Sequence, residues 1–216
     1  MQVSTDLAGI RKEYRLQSLL EKDVDADPVK QFQHWWKEAL QSNVEEPNAM
    51  TLATSTSSGK PSARIVLLKE IKDNGFVYFS NYDSRKGKEI NDNPFVSLVF
   101  FWKELERQVR IEGEAEKINS EESDEYFLSR PLESRIGAWC SPQSEVIKNR
   151  EVLEKNVRNY TQKFLSQNIP RPPHWGGYIV KPNLVEFWQG RPGRLHDRIL
   201  YTINEKAAWK IERLAP

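Results

Sequence analysis

Residues 63–80 read ARIVLLKEIKDNGFVYFS, and this stretch decides the fold class of the chain. Its two ends, residues 63–69 and 75–80, are rich in β-branched and aromatic side chains. Such runs are typical of strands, and the Asn74-Gly75 pair between them is typical of a hairpin turn. The stretch therefore predicts two antiparallel strands joined by a short connection.

Similar runs on both sides of this hairpin extend the predicted sheet. They cover residues 49–56, 96–102, 107–117, 175–180, 184–188, 198–203 and 208–213. The short links between the central strands favour an antiparallel meander over β-α-β crossovers. We therefore expect a mostly β fold with peripheral helices, built on a closed or nearly closed antiparallel β-barrel. Residues 27–216 should form this single domain, and residues 1–26 should form a mobile N-terminal arm.

Capping residues and prolines predict the peripheral helices. Asp27-Pro28 is typical of an N-cap followed by proline at the first helical position, so a helix should run from there to about residue 42. Two more helices are expected at residues 84–91 and 144–164, and another from Asn119 or Ser120 to Pro131. A short helix is also expected in the arm, around residues 10–20.

The charge balance and the content of cysteine and histidine exclude several classes of function. With 32 Lys and Arg against 31 Asp and Glu, the net charge of +1 gives no reason to expect a nucleic-acid or membrane partner. The single cysteine, Cys140, rules out an internal disulfide, and we expect it to be a small buried residue. The three histidines are scattered, so no metal site is predicted. No targeting segment or long apolar run is visible, and we expect a cytoplasmic location.

Basic residues near strand ends point to the binding of anions. Arg64 and Lys69 are five positions apart on one predicted strand, so their side chains should face opposite ways and serve two different anions. Ser84-Arg85-Lys86-Gly87 opens a predicted helix, where free backbone N–H groups and the helix dipole favour a phosphate. The alternative interpretation of residues 84–87 is that Arg85 and Lys86 are solvated surface cations that bind no ligand.

Two groups in the second half of the chain could contact the same kind of ligand. Tyr126 and Arg130 are four positions apart on a predicted helix, and Ser134 follows a proline turn. An equally good interpretation is that Arg130 only donates hydrogen bonds to the unpaired carbonyls at the C-terminus of this helix. Gln143-Ser144 stands at a predicted helix start, where simple capping is the preferred alternative.

The last group follows an aromatic strand. Trp188 precedes Arg194, His196 and Arg198 within eleven residues, which is a dense group of side chains able to bind a ligand. The alternative interpretation is a buried Trp beside a salt-bridge network on the surface. Arg194 and His196 are two positions apart, so in an extended segment they would project to one side and touch one ligand together. The pattern alone thus predicts a β-barrel that binds one or two phosphorylated small molecules.

Taken together and in order, these motifs resemble the pyridoxine/pyridoxamine 5′-phosphate oxidase family. The matching stretches are Arg11-Lys12-Glu13-Tyr14, residues 64–69, Ser84-Arg85-Lys86, residues 105–109, residues 126–131, Gln143-Ser144, Trp175-Gly176-Gly177, residues 187–190, residues 194–198 and residues 212–216. The resemblance covers nearly the whole chain. It implies an FMN-binding split β-barrel that works as a homodimer, with each flavin at the subunit interface.

The resemblance also assigns the site residues. FMN would be bound by Arg64, Ile65, Val66, Leu67, Leu68, Lys69, Phe79, Ser80, Arg85, Lys86, Gln143 and Ser144, with Gln108, Trp188 and Arg198 at its ring system or edge. The substrate phosphate would be held by Lys69, Tyr126, Arg130 and Ser134. Arg194 and His196 would lie over the substrate's pyridine ring as catalytic residues, and Arg11 and Tyr14 would close the site from the arm.

The implied reaction converts pyridoxine or pyridoxamine 5′-phosphate to pyridoxal 5′-phosphate, with O2 as acceptor and hydrogen peroxide as product. Two alternatives stay open at this point. A flavin reductase-like split-barrel enzyme would keep the FMN residues without needing the substrate phosphate clamp. A non-catalytic protein that binds FMN or pyridoxal phosphate would not consume oxygen.

Overall fold

The computed structural model describes residues 13–165 and 168–216. Five α-helices form in this part of the chain: α1 (Pro28–Gln41), α2 (Arg85–Asp92), α3 (Ser120–Ser129), α4 (Leu132–Cys140) and α5 (Arg150–Lys163). The Asp27 side chain accepts a hydrogen bond from the Val29 N–H at 2.8 Å, and Pro28 is the first residue of α1. In the same way Asn119 caps α3 by accepting from the Glu122 N–H. Both predicted helix starts are confirmed.

The strands of the described residues form one antiparallel sheet. They are β1 (Ala49–Ser55), β2 (Pro61–Leu67), β3 (Glu70–Lys72), β4 (Gly75–Asn81), β5 (Phe95–Trp102), β6 (Arg107–Lys117), β7 (Trp175–Gln189), β8 (Asp197–Ile203) and β9 (Trp209–Arg213). The order along the sheet is β2-β1-β5-β6-β7-β4-β3, with β8 paired to β7 and β9 paired to β8. The predicted β3–β4 hairpin forms, with Lys72 opposite Gly75 across the Asp73-Asn74 turn. Mostly β architecture with peripheral helices is therefore confirmed.

The chain divides into two compact units. Unit 1 holds the described residues up to Pro47 together with Val99–Ile111 and Leu184–Pro216, and unit 2 holds Asn48–Leu98 and Glu112–Asn183. In the core of unit 1, the Phe32 ring packs 5.0 Å from Phe100, and Trp35 meets Phe187 edge-on at 5.1 Å. These rings bury large apolar areas, which is the main favourable term for folding.

Unit 2 has a core cluster of its own. It contains Phe127, Ile136, Cys140, Phe164, Ile169 and Trp175. Cys140 is buried in this cluster, as predicted, and burial raises the pKa of its thiol. A thiol with a raised pKa is a weak nucleophile, so Cys140 acts here as a small packing residue.

Two local predictions are wrong and one helix is absent from the predictions, and each difference has a physical reason. Residues 13–20 contain no helix, because the backbone N–H groups of Arg15 and Leu16 donate to the Glu106 carboxylate instead of to helical carbonyls. Helix α4 was not predicted because Pro131 ends one helix, but proline is also compatible with the start of another. Helix α5 begins at residue 150 and not 144, since Ser144 has a left-handed φ of 73°.

The two predicted strands at residues 175–180 and 184–188 are one continuous strand, β7. Its register with β4 ends at Val180 and its register with β8 begins at Leu184, so Pro182 lies between the part of the strand that pairs with β4 and the part that pairs with β8. Among the described residues, no helix has the length and apolar character needed to cross a membrane.

Candidate functional site

Three groups of predicted site residues come together, each within one unit. The first, called the anion site here, consists of Arg64, Arg85 and Lys86 in unit 2. Helix α2 starts at this site because the Ser84 hydroxyl accepts from the Gly87 N–H and donates to the Asn81 carbonyl at 2.7 Å. A Cβ at Gly87 would overlap the Tyr82 carbonyl, so only glycine allows this tight first turn.

Lys86 connects the anion site to a distant segment. Its Nζ donates to the Ser84 Oγ at 3.1 Å and to the Gln143 Oε1 at 2.7 Å. Burial, followed by the positive charge of Arg64, lowers the pKa of Lys86 to about 8. A helix N-terminus and three cations in one place have the chemistry that a phosphate group requires.

Glu89 organises the two arginines of the anion site. Its carboxylate is 5% exposed, and its Oε1 accepts from the Arg85 Nε at 2.8 Å. Its Oε2 accepts from the hydroxyls of Thr54 at 2.5 Å and Ser62 at 2.6 Å, and from the Arg64 Nη2 at 3.3 Å. Burial raises the pKa of Glu89, but the hydrogen bonds from Ser62, Thr54 and Arg85 outweigh it and bring the pKa down to about 2.

The second group lines a cavity of about 610 Å³ in unit 2. Lys69 and Tyr126 both line it, and Lys72 and Glu122 form an ion pair at its wall. Lys69 lies after the end of β2, in the link to β3, so it does not share a strand with Arg64 as predicted. The argument from alternating side chains therefore fails. Arg64 bonds Glu89 while Lys69 lines this cavity, so the two residues belong to different groups, and their service of two anions stays a prediction.

Three parallel rings continue this second group, and we call them the aromatic stack. Phe79 packs 3.8 Å from Tyr126 and 5.5 Å from Trp175. The guanidinium of Arg130 lies 4.5 Å from the centre of the Trp175 ring, and its buried Nη1 has no hydrogen-bond partner among the described residues. Burial lowers the pKa of Arg130, which nevertheless stays protonated. Arg130 is the residue after α3, not on its face, with its N–H bonded to the Phe127 carbonyl.

The third group is in unit 1, and we call it the His196 cluster. The His196 ring lies 4.6 Å from Trp188 and 5.9 Å from Tyr14, and Tyr14 meets Trp188 edge-on at 5.7 Å. The His196 Nδ1 accepts a hydrogen bond from the Arg191 N–H at 3.1 Å, so the neutral ring carries its proton on Nε2. Burial, followed by the positive charge of Arg194, lowers the pKa of His196, which favours the neutral ring.

Arg194 and Arg198 flank this cluster. Arg194 is exposed and has a left-handed φ of 62°, so the segment is a turn and not the extended stretch expected from the sequence. Arg198 pairs with Trp188 across β7 and β8, and its Nε donates to the Glu186 Oε1 at 2.7 Å. The Arg110 Nη2 donates to the other oxygen of the same carboxylate at 2.6 Å. Glu186 thereby fixes the orientation of Arg198.

The remaining predicted residues are placed as follows. Ile65, Val66 and Leu67 lie on β2, Leu68 is buried beside it, Ser80 is buried on β4, Gln108 lies on β6, Ser134 on the first turn of α4, and Ser144 next to Gln143. Arg11 lies outside the described residues. Ile65 is 64% exposed, while the Leu68 N–H donates to the Asn48 carbonyl at 2.8 Å.

The sequence reading missed Glu89, Thr54 and Ser62. Glu89 lies four residues after Arg85 on α2, which is ion-pair spacing on a helix and could have signalled their contact. Thr54 and Ser62 are opposite each other in the β1–β2 register. No local pattern reveals that both hydroxyls meet a carboxylate on α2.

Two solved structures define the class of protein. PhzG from Burkholderia lata, solved with tetrahydrophenazine-1-carboxylic acid, is similar with a TM-score of 0.88 and 29% identity, covering 95% of this chain and 100% of that one. A Nostoc punctiforme protein described as pyridoxamine 5′-phosphate oxidase-related and FMN-binding has a TM-score of 0.69 and 18% identity, covering 93% of this chain and 100% of that one. The predicted fold class, a mostly β protein built on an antiparallel split β-barrel, is confirmed.

Sequence comparison identifies the family within this class of protein. Residues 36–164 match the family described as pyridoxamine 5′-phosphate oxidase, and residues 175–216 match the pyridoxine 5′-phosphate oxidase C-terminal dimerisation region. Pyridoxine/pyridoxamine 5′-phosphate oxidases from Cyanothece and Nostoc punctiforme are 54% and 56% identical, covering 99% and 97% of this chain and 100% and 98% of their own. The chain therefore belongs to the pyridoxamine 5′-phosphate oxidase family and is an oxidoreductase.

Proposed function

We propose that this chain oxidises pyridoxine or pyridoxamine 5′-phosphate to pyridoxal 5′-phosphate, with FMN as cofactor and O2 as final acceptor. The alcohol and one O2 give the aldehyde and one hydrogen peroxide. The amine additionally consumes one water and releases ammonia. The observation that carries the proposal is the presence of two separate cationic groups in unit 2, one at the start of α2 and one at Arg130. A cofactor phosphate and a substrate phosphate need one each.

The anion site fits the phosphate of FMN. Arg64, Arg85 and Lys86 supply three positive charges against the one negative charge of Glu89, which leaves an excess that suits a phosphate dianion. When bound, FMN supplies the two-electron redox chemistry of the reaction. Gln108, Trp188 and Arg198 are proposed to contact its ring system or edge. The other family positions already placed on β2, β4 and beside Gln143 are proposed to hold the rest of the cofactor.

Lys69, Tyr126, Arg130 and Ser134 are proposed to bind the substrate phosphate. Arg130 supports this role because its buried Nη1 finds no hydrogen-bond partner within residues 13–165 and 168–216, a state that costs about 1–3 kcal/mol and that a ligand oxygen would relieve. Lys69 and Tyr126 line the 610 Å³ cavity, and Tyr126 also stacks with Trp175, the ring on which Arg130 lies. Anchoring the phosphate positions the rest of the substrate, which makes the transfer of a hydride from its 4′ carbon effectively intramolecular.

Arg194 and His196 are proposed to act on the substrate's pyridine ring and 4′ group. The neutral His196 carries its proton on Nε2, since Nδ1 is occupied by the Arg191 N–H. This arrangement favours donation of a hydrogen bond from Nε2 to the substrate over removal of a proton by that atom. Arg194 supplies a permanent positive charge beside it. Tyr14, packed on Trp188 and His196, and Arg11 are proposed to close the site from the arm at residues 1–26.

The proposal includes a homodimer, with the domain at residues 27–216, and a cytoplasmic location. The match of residues 175–216 to a dimerisation region supports the homodimer. Sedimentation of the flavin-loaded protein should give about twice the chain mass of 25.2 kDa. A flavin-loaded species of a single chain mass would refute this part.

The deciding experiment supplies the purified chain with FMN, air and pyridoxine 5′-phosphate, and measures peroxide and aldehyde together. Equal amounts of both are expected, with none in the absence of FMN. If a nicotinamide donor reduces the flavin and no aldehyde forms, the chain is a flavin reductase-like enzyme, which is the first alternative. Tight binding of FMN or pyridoxal phosphate without oxygen uptake would identify the chain as the non-catalytic binding protein of the second alternative. Oxidation of tetrahydrophenazine-1-carboxylic acid, the compound bound to PhzG, in place of pyridoxine 5′-phosphate would also refute the proposal.

A further inference from the structure

Glu89 is the only carboxylate that bonds both arginines of the anion site among the described residues. It is nearly inaccessible to solvent, whereas the Arg85 side chain is 62% exposed. Glu89 engages only the Nε of Arg85, so both Nη groups of the guanidinium remain outside this ion pair. An exposed arginine has many rotamers, and fixing one of them before a ligand arrives reduces the entropy that binding costs.

Glu89 reaches Arg64 mainly through two hydroxyls. Thr54 Oγ1 and Ser62 Oγ each donate their proton to the Glu89 Oε2. Their lone pairs are then available to accept from the Arg64 Nη1 at 2.6 Å and Nη2 at 2.5 Å, respectively. The direction of every bond in this network follows from the carboxylate, because an ionised carboxylate can only accept.

An amide at position 89 could not serve all of these donors. Two hydroxyls, Arg64 Nη2 and Arg85 Nε converge on the two carboxylate oxygens. A glutamine would present its NH2 group either to the Arg85 Nε or to the two hydroxyls and the Arg64 Nη2, so at least one of these hydrogen bonds would be lost. The pKa of about 2 agrees with a charge that is kept at any working pH.

We propose that Glu89 is a positioning residue that orients Arg64 and Arg85 for the phosphate of the cofactor, an inference that rests on the proposed function of the anion site. Two other roles are conceivable for a buried acid beside three cations. As a mere countercharge, Glu89 would repel the phosphate, and its neutralisation would tighten binding. If Glu89 were purely structural, its replacement would change the dissociation constants of all ligands of the fold equally. The three roles therefore predict different results.

The test compares FMN with riboflavin, which has the same ring and ribityl chain but no phosphate. Dissociation constants are measured from the quenching of flavin fluorescence for the wild type and Glu89→Gln. We expect the dissociation constant of FMN to rise about tenfold, as for partial loss of one charge-assisted hydrogen bond, and that of riboflavin to stay within about twofold. Asp92→Asn, which removes one charge from the same helix at an exposed position, should change neither constant.

A double-mutant cycle shows whether Glu89 acts through Arg85. In an Arg85→Ala background, Glu89→Gln should weaken FMN much less than in the wild type. If Glu89→Gln does not fold, Glu89→Asp keeps the charge but withdraws the carboxylate by one methylene, and it should give the same phosphate-specific loss.

Three outcomes would overturn the inference: tighter FMN binding, equal losses for FMN and riboflavin, or no change in either. Failure of the proposed function has a different signature, because the wild type itself would then bind FMN no better than riboflavin.

Discussion

Replacing Arg130 by alanine tests the assignment of the two phosphate groups most directly. The Arg130 guanidinium stacks on Trp175 at 4.5 Å, and its buried Nη1 has no hydrogen-bond partner in the part of the chain that the structure describes. In the free protein this nitrogen costs about 1–3 kcal/mol, while a desolvated cation–π contact returns up to about 2 kcal/mol. The two terms nearly cancel. Arg130→Ala should therefore change the free energy of unfolding of the ligand-free protein by little more than 1 kcal/mol.

The effect on substrate binding should be much larger. A lost charge-assisted hydrogen bond to a phosphate is worth about 2–3 kcal/mol, which corresponds to an increase of about 30- to 150-fold in KM for pyridoxine 5′-phosphate. Arg130→Lys keeps the charge but loses the planar fork that matches two phosphate oxygens, so its KM should be intermediate. The FMN content of both variants should equal that of the wild type.

The assay is steady-state peroxide formation with varied substrate and saturating FMN, combined with the absorbance of bound flavin per chain. Arg158→Ala is the matched control, because it removes one positive charge from an exposed position on α5. Loss of flavin with an unchanged KM would show that the two phosphate groups are assigned the wrong way round. An unchanged KM with full flavin would remove Arg130 from the substrate site altogether.

Three other predictions concern proton states and chemistry. The pKa of Lys86 is about 8 without ligand, and a bound phosphate would raise it. The affinity for FMN should therefore fall as the pH rises above 8, and Lys86→Met should flatten this fall. An unchanged slope would exclude Lys86 from the phosphate site. Arg194→Ala should slow anaerobic flavin reduction at saturating substrate at least about tenfold, because it removes a positive charge from the reacting centre, with a smaller loss for His196→Ala. The pKa of His196 lies below its ordinary value, so the wild-type rate should decline only below about pH 6.5 and this decline should vanish in His196→Ala. Unchanged reduction rates in both variants would make the pair a binding feature only.

Sequence reasoning succeeded where structure depends on neighbours in the chain. Asp27, Ser84 and Asn119 cap the helices that follow them, because each side chain reaches a backbone N–H two or three residues ahead. The Asn74-Gly75 turn follows from the same local chemistry. These short-range bonds form in any fold that contains the segment, so no knowledge of the tertiary structure is needed to predict them.

The site itself depends on contacts between residues far apart in sequence. Glu89 meets Thr54 and Ser62 across 35 and 27 residues, and Lys86 meets Gln143 across 57. The tautomer of His196 is set by a backbone N–H five residues earlier, in a turn whose left-handed residues include the non-glycine Arg194. Neither composition nor periodicity contains this information, because it arises only when strands and helices pack.

The depressed pKa of Lys86 links these contacts to function. Burial, followed by the positive charge of Arg64, makes a proton on Lys86 less favourable than in water, although Glu89 neutralises part of the charge of Arg64 and Arg85. The free protein therefore holds Lys86 partly desolvated and repelled by Arg64 at the start of α2. A phosphate dianion would relieve this repulsion and restore the full charge of Lys86, so the same interactions that bind the ligand would also stabilise unit 2. FMN should consequently raise the melting temperature more than riboflavin at the same free ligand concentration, and this difference should shrink above pH 8 as Lys86 loses its proton.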